Sequence, residues 1–135
     1  SALENRLPPK WRIHPTDGST ALQVAAVFDR TEIALLLIEN GADIEVKKDD
    51  GSTVLHAASF FGRVKVVEAL LAKGADRTVK TNEGATALDS VAGSFDEMRP
   101  VYEFIKGLLA PTGLKLDYDS LQKKRPKIAE MLRAE

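Results

Sequence analysis

The sequence predicts an all-α solenoid of repeated helix-turn-helix units, and three features of the 135-residue chain indicate it. An acidic residue followed by glycine recurs at a constant spacing of 33 residues, beginning at Asp17, Asp50 and Glu83. The stretches 17–49 and 50–82 are identical at 14 of 33 positions. Each stretch also carries two short apolar patterns of helical spacing, separated by turn residues.

Each unit can be divided into elements from its local sequence. It opens with a turn, where glycine supplies a positive φ without steric cost. Thr20, Thr53 and Thr86 stand two residues after the turn glycines, where each can cap the amino-terminal end of a first helix. A second helix follows and ends at Gly41 and Gly74, which suit the left-handed position after a helix.

These features resemble the ankyrin repeat, whose period is 33 residues and whose signature is a Thr-Pro-Leu-His stretch followed by an alanine. In unit two the stretch reads Thr-Val-Leu-His-Ala from Thr53, and in unit one it reads Thr-Ala-Leu-Gln-Val from Thr20. A Gly-Ala-Asp sequence ends the second helix at Gly41 and again at Gly74. The elaborated carboxyl-terminal segment is more similar to bacterial ankyrin-repeat proteins than to animal ones.

The resemblance implies an all-α ankyrin-repeat solenoid of helix-turn-helix units, with short β-turn fingers and a helical C-terminal cap. Stability should then come from packing between neighbouring units. The expected divisions are an N-terminal lead or truncated repeat at 1–16, repeats at 17–49 and 50–82, a modified repeat at 83–115, and the cap at 116–135.

Several positions depart from the family pattern. The proline at the first helical position is absent from every unit, and the family's inter-helix glycine is Gly62 in unit two but Asp29 in unit one. Aspartate tolerates the left-handed conformation better than most residues, so Asp29 is a mild departure. Unit three has Asp89 where the family has histidine, and we expect a short insertion near 94–99 before a second helix at 100–109.

The C-terminal cap is predicted to contain two helices. Asp117 or Asp119 is placed to cap a first helix that runs to Lys124. Arg125 precedes a proline and therefore disfavours helical backbone, so the first helix should stop there. Pro126 is suited to the first position of a last helix.

Composition excludes several function classes. Lys and Arg number 19 and Asp and Glu number 20, a net charge of −1, without the basic excess typical of nucleic-acid-binding domains. The absence of cysteine excludes disulfides, thiolate catalysis and cysteine-based zinc sites. The longest apolar run, 33–38, is too short to cross a membrane, and no phosphate-binding loop or nucleophile-elbow motif is present.

Two features carry both a chemical and a structural interpretation. His56 is a candidate catalytic base, but the ankyrin resemblance implies that it hydrogen-bonds loop groups and braces neighbouring turns. The basic run 123–127 is either a nucleic-acid contact or import signal, or a solvated helix junction. We favour the structural interpretation of both.

Aromatic residues suggest a first binding surface. Phe28 and Phe61 occupy equivalent places in successive units, Phe95 falls near that place in unit three, and Phe60 adjoins Phe61. The rings should form a stripe on the concave side, which either anchors a partner or packs as core. At least one of Phe60 and Phe61 should be partly exposed.

The turn tips provide a second expected surface, because they line up along one edge of a repeat array. Their charges have both signs, which favours a protein partner over DNA. The candidate residues at the tips are Ser19, Ala21, Lys48, Asp49, Asp50, Ser52, Val54, Asn82, Glu83 and Ala85.

The function that the resemblance implies is a non-catalytic protein–protein interaction module that binds through its concave face and finger tips. No enzyme activity, cofactor, metal, nucleic acid or membrane is expected, and the chain should be a monomer in the cytoplasm. The alternatives are a terminal scaffold module of a larger protein, a small-molecule-binding or enzymatic domain, and, for location, an export signal upstream.

Overall fold

The computed structural model describes residues 19–134, with side chains from residue 21 onward. Within this part of the chain every regular element is helical, and none is a strand. The expectations for residues 1–16 and for Asp17 and Gly18 lie outside the described residues. The elements are α1 (Ser19–Val27), α2 (Thr31–Glu39), α3 (Val54–Phe60), α4 (Val64–Ala72), α5 (Asp89–Ala92), α6 (Phe95–Leu109), a 3-10 turn (Ala110–Thr112) and α7 (Tyr118–Arg133).

The helices pack in two rows. In the first row α1 contacts α3, and α3 contacts α5; in the second row α2 contacts α4, and α4 contacts α7. The rows are joined where α1 packs on α2 and α3 packs on α4. This arrangement confirms the predicted all-α solenoid of helix-turn-helix units.

The core consists of residues that the repeat places on the facing sides of neighbouring helices. Leu22 and Leu55, at equivalent positions of α1 and α3, are 0% and 2% exposed. Ala26 and Ala58 are also buried, and their small side chains let the two helices approach closely. Burying a leucine side chain contributes about 1.5 to 3 kcal/mol. Because these leucines are buried between helices of adjacent units, each repeat is stabilised mainly by its neighbour.

The turn between the two helices of a unit requires a left-handed residue. Gly62 has φ of +75° and its counterpart Asp29 has φ of +60°, so the aspartate adopts the conformation that the sequence predicts for it. At Gly62 a Cβ would lie 3.0 Å from Leu121 Cδ2 of α7. Packing therefore adds a second reason for glycine in unit two.

In unit three the first helix begins further from the turn glycine than in unit two. The Thr86 N–H donates to Asp89 Oδ2 at 2.8 Å, and the Asp89 N–H donates to Thr86 Oγ1 at 3.3 Å. This reciprocal pair resembles a capping box and explains what aspartate does at the position of the family histidine. The regular helix is then only the four residues of α5.

The predicted second helix of unit three, at 100–109, is wrong in its start and its position. The helix α6 begins at Phe95, because Ser94 Oγ accepts the Glu97 N–H at 3.2 Å and caps it. Pro100 therefore lies inside the helix. It is α7, and not α6, that packs beside α4 and α5.

The predicted break at Arg125-Pro126 is also wrong, because α7 runs through both residues. Asp117 caps it by accepting the Ser120 N–H at 3.1 Å. A proline inside a helix costs about 3 kcal/mol, since it removes a hydrogen bond and clashes with the preceding turn. The helix continues because Leu121, Arg125 and Ile128, on both sides of the proline, are buried together.

The sequence of α7 explains its place in the stack. Residues 125–134 read RPKIAEMLRA, which matches RVKVVEALLA at 63–72 in unit two. Ile128 and Leu132 are buried as are their counterparts Val66 and Leu70. We therefore assign the second half of α7 as the second helix of unit three, with α6 carried on an insertion before it.

Candidate protein-binding surface

The turns between units form two described fingers of the same shape. In the first finger the Lys48 N–H donates to Ser52 O and the Gly51 N–H donates to Lys48 O, each at 2.8 Å. In the second, Thr81 N–H donates to Ala85 O at 2.8 Å and Gly84 N–H donates to Thr81 O at 2.9 Å. Gly51 and Gly84 have φ of +82° and +86°, the conformation predicted for the turn glycines.

Neighbouring fingers are hydrogen-bonded to each other. The backbone N–H of Asn82 donates to Asp50 O, and its side-chain amide donates to Asp49 O, both at 2.8 Å. A Cβ at Gly51 would lie 2.9 Å from Asn82 Oδ1, so only glycine allows this approach. The fingers therefore form a continuous row in fixed register.

His56 links a helix to the next finger. Its Nδ1 accepts the Thr53 N–H at 3.1 Å, so the proton lies on Nε2, which donates to Ala85 O at 3.1 Å. Both ring nitrogens are occupied by backbone groups of two adjacent units. This geometry is the bracing role that the ankyrin resemblance implied.

Most predicted finger residues are accessible. Ala21, Lys48, Asp49, Asp50, Asn82 and Glu83 are exposed, Ser52 and Ala85 are half-buried, and the side chain of Ser19 lies outside the described residues.

Val54 corrects the predicted finger surface. It is only 2% exposed, because it begins α3 and points into the core. It therefore cannot contact a partner.

Asp50 shapes the first finger. Its carboxylate accepts the Ser52 hydroxyl at 2.6 Å and the Ser52 N–H at 2.9 Å. These hydrogen bonds, the hydroxyl first, lower the pKa of Asp50. Asp49 and Glu83 differ, since no side-chain hydrogen bond or ion pair links either carboxylate to the described residues.

The aromatic residues of unit two pack against the insertion of unit three. Among the described rings, Phe61 contacts Phe60 at 5.0 Å between centroids, and Phe28 contacts neither. Phe60 instead stacks on Tyr102 of α6 at 4.3 Å, and Phe95 lies 5.5 Å from Tyr102. The rings thus join unit two to the insertion. The predicted partial exposure holds, since Phe60 and Phe61 are both half-buried.

Two residues at the centre of this cluster were not anticipated as a pair. The Tyr102 hydroxyl donates to Phe60 O at 2.5 Å and accepts from Arg125 Nη1 at 3.2 Å. Arg125 also donates to Ser90 O at 2.5 Å and to Gly93 O at 2.9 Å. Burial raises the pKa of Tyr102, while Arg125 opposes this rise. The only sequence signal was the match of Arg125 to Arg63.

Arg125 also changes the interpretation of the basic run 123–127. The residue is 2% exposed and its guanidinium is held by carbonyl groups, so the run is not a continuous basic surface. Lys123, Lys124 and Lys127 remain exposed on the outer side of α7.

Large apolar side chains are exposed at two places. Val24, Ile33 and Leu36 lie on α1 and α2. Another set lies on α6 with a spacing of three and four residues, which places its members on one side of the helix. It comprises Val101, Phe104 and Leu108.

No cluster of three or more metal-ligating side chains occurs in residues 19–134. Within the same range, no helix is long and apolar enough to cross a membrane.

Comparison with known proteins identifies the repeats. A family model of ankyrin repeats in three copies matches residues 5–81, which is more than half of the chain. A search of curated proteins found no match. The finger geometry, the two helical rows and this match agree, and the chain belongs to the ankyrin-repeat family.

Proposed function

We propose that this chain is a non-catalytic module that binds a partner protein through its finger tips and the adjoining concave side. Ankyrin repeats are in general protein–protein interaction modules, and that family role supports the proposal. The observation that carries it is the fixed register of the fingers, set by Asn82 bonding to Asp49 and Asp50. A surface ordered before binding loses little conformational entropy when the partner docks.

The side chains on the fingers favour a partner with mixed charge. Lys48 and Asp49 stand on one tip and Glu83 on the next, all exposed. Exposed charges of both signs fix orientation and exclude wrong partners more than they raise affinity. Phe28 and Phe61 directly follow α1 and α3, at the ends of these helices away from the tips, and their half-buried rings add apolar contact area there.

Site-specific photo-crosslinking tests the proposal. A benzophenone amino acid replaces Asp49 or Glu83, whose side chains make no contact that the fold needs, and the protein is irradiated in its source cells. The same protein should be crosslinked at both positions. Substitution at Val101 or Leu108 on α6 is the control, because both are exposed and lie outside the fingers and outside α7. Equal crosslinking at the α6 positions, or none at the fingers, would contradict the proposal.

A further inference from the structure

A cleft opens on the side of the molecule formed by α7 and the amino-terminal ends of α2 and α4. Its volume is about 670 Å³, within the range of sites that hold a small molecule or a few residues of a peptide. Four lysines line it: Lys65 of α4 and Lys123, Lys124 and Lys127 of α7. The cleft therefore lies between the outer side of α7 and the helices α2 and α4.

The position of these lysines follows from the burial of Arg125. At 100° per residue, Lys123 and Lys127 lie on the side of α7 opposite Arg125, and Lys124 lies about 100° from Arg125. Lys124 is held against the turn between α3 and α4, since a Cβ at Gly62 would lie 3.6 Å from Lys124 Cδ. The basic run 123–127 therefore contains one buried arginine with a structural role and three exposed lysines that line the cleft.

Within residues 19–134, no carboxylate lies in ion-pair distance of these lysines. Among residues 19–134, ion pairs within 4.0 Å are Arg63 with Asp29 and Arg99 with Asp96. The cleft also contains Glu32 and Glu68, so its unpaired charges are four positive and two negative. The amino-terminal ends of α2 and α4 open on it and add partial positive charge.

We propose that this cleft binds a short acidic segment of the partner protein, whose carboxylates pair with Lys65, Lys123, Lys124 and Lys127. The proposal rests on the chain being a protein-binding module and adds a second contact on a different face from the fingers. Glu32 and Glu68 within the cleft oppose a continuous phosphate backbone. A peptide can place its carboxylates beside the lysines and its neutral residues beside these glutamates.

Fluorescence anisotropy with a fluorescein-labelled hexaglutamate peptide tests the cleft. The full chain should bind the peptide at low ionic strength, and added salt should weaken binding, since salt screens exposed charges. The double substitution Lys123→Glu and Lys127→Glu should weaken binding about tenfold or more, because two attractive contacts become repulsive. Lys48→Glu with Lys80→Glu, the same charge change on the finger side, should change affinity by less than about twofold.

Three outcomes would overturn the inference: no binding of the peptide, equal loss in both double variants, or tighter binding of a single-stranded oligonucleotide that the cleft substitutions abolish. Circular dichroism of each variant serves as the control that the helices are intact. Failure here is separable from failure of the proposed function. If the finger crosslinks persist while hexaglutamate does not bind, only the acidic-segment inference is wrong.

Discussion

At the scale of single residues, the most consequential side chains are those that the family pattern does not specify. Arg125 is surrounded by carbonyl oxygens of Ser90 and Gly93 and by the Tyr102 hydroxyl. A buried charge is tolerated only when its hydrogen bonds are satisfied. Here one arginine joins the end of α5, the insertion helix α6 and the last helix.

Replacing Arg125 should therefore destabilise the whole chain. Arg125→Met keeps most of the side-chain volume but leaves buried carbonyl groups without donors, and we expect a loss of about 3 kcal/mol or more in the free energy of unfolding. Urea denaturation followed by circular dichroism measures it. Lys124→Met, one residue away and exposed, should lie within about 0.5 kcal/mol of the native chain. Similar losses in the two variants would show that Arg125 has no special role.

Tyr102 should make stability sensitive to alkaline pH. Burial raises its pKa in the folded chain above the ordinary value of 10.0, so the folded state holds the proton more tightly than the unfolded state. The resulting stabilisation is complete below pH 10 and is lost as pH rises through the folded pKa. We expect the free energy of unfolding to fall above pH 10 more steeply for the native chain than for Tyr102→Phe. Parallel curves would exclude Tyr102 as the titrating group.

At the scale of elements, the sequence specified the first two repeats better than the third. The 33-residue spacing fixed the turns, and Gly62 and Asp29 adopt the positive φ that their place demands. The third repeat was misassigned because α6 has helical apolar spacing, and spacing alone does not tell which surface an apolar residue meets. The local rule for Arg125-Pro126 failed because long-range burial outweighed it.

For the finger surface, too, local sequence predicted the turns but not the contacts between residues distant in sequence. Turn chemistry predicted where the tips would be, and Asp50 and Gly51 lie there. The burial of Val54 and the Phe60–Tyr102 contact depend on which helix faces which, so residue position in the repeat could not predict them.

The packing of α7 on the inter-helix turn can be measured with two glycines. Gly62→Ala and Gly41→Ala both place an alanine at positive φ, +75° and +87°, which costs roughly 1 kcal/mol. Only at Gly62 does the new methyl group meet a neighbour, Leu121 at 3.0 Å. Thermal unfolding should show a larger loss for Gly62→Ala, by about 1 kcal/mol or more. Equal losses would mean that Leu121 moves aside without cost.

At the scale of the whole molecule, stability depends on which helix completes the stack. Each unit packs mainly on its neighbours, so loss of the last second-row helix should destabilise α3 and α4. Ile128 of α7 is 0% exposed, whereas Leu108 of α6 is 63% exposed. The two residues thus distinguish the assigned second helix of unit three from the insertion helix.

Ile128→Ala should lower the free energy of unfolding by about 2 to 5 kcal/mol, because it leaves a cavity between α7 and its neighbours. Leu108→Ala should change it by less than about 0.5 kcal/mol. Urea denaturation gives both values, and amide hydrogen exchange should show reduced protection of α3 and α4 only in Ile128→Ala. The opposite pattern would mean that α6 completes the stack and α7 is the appendage. In that case α7 would not be fixed beside α4, and the cleft proposed to bind an acidic segment would lack one of its sides.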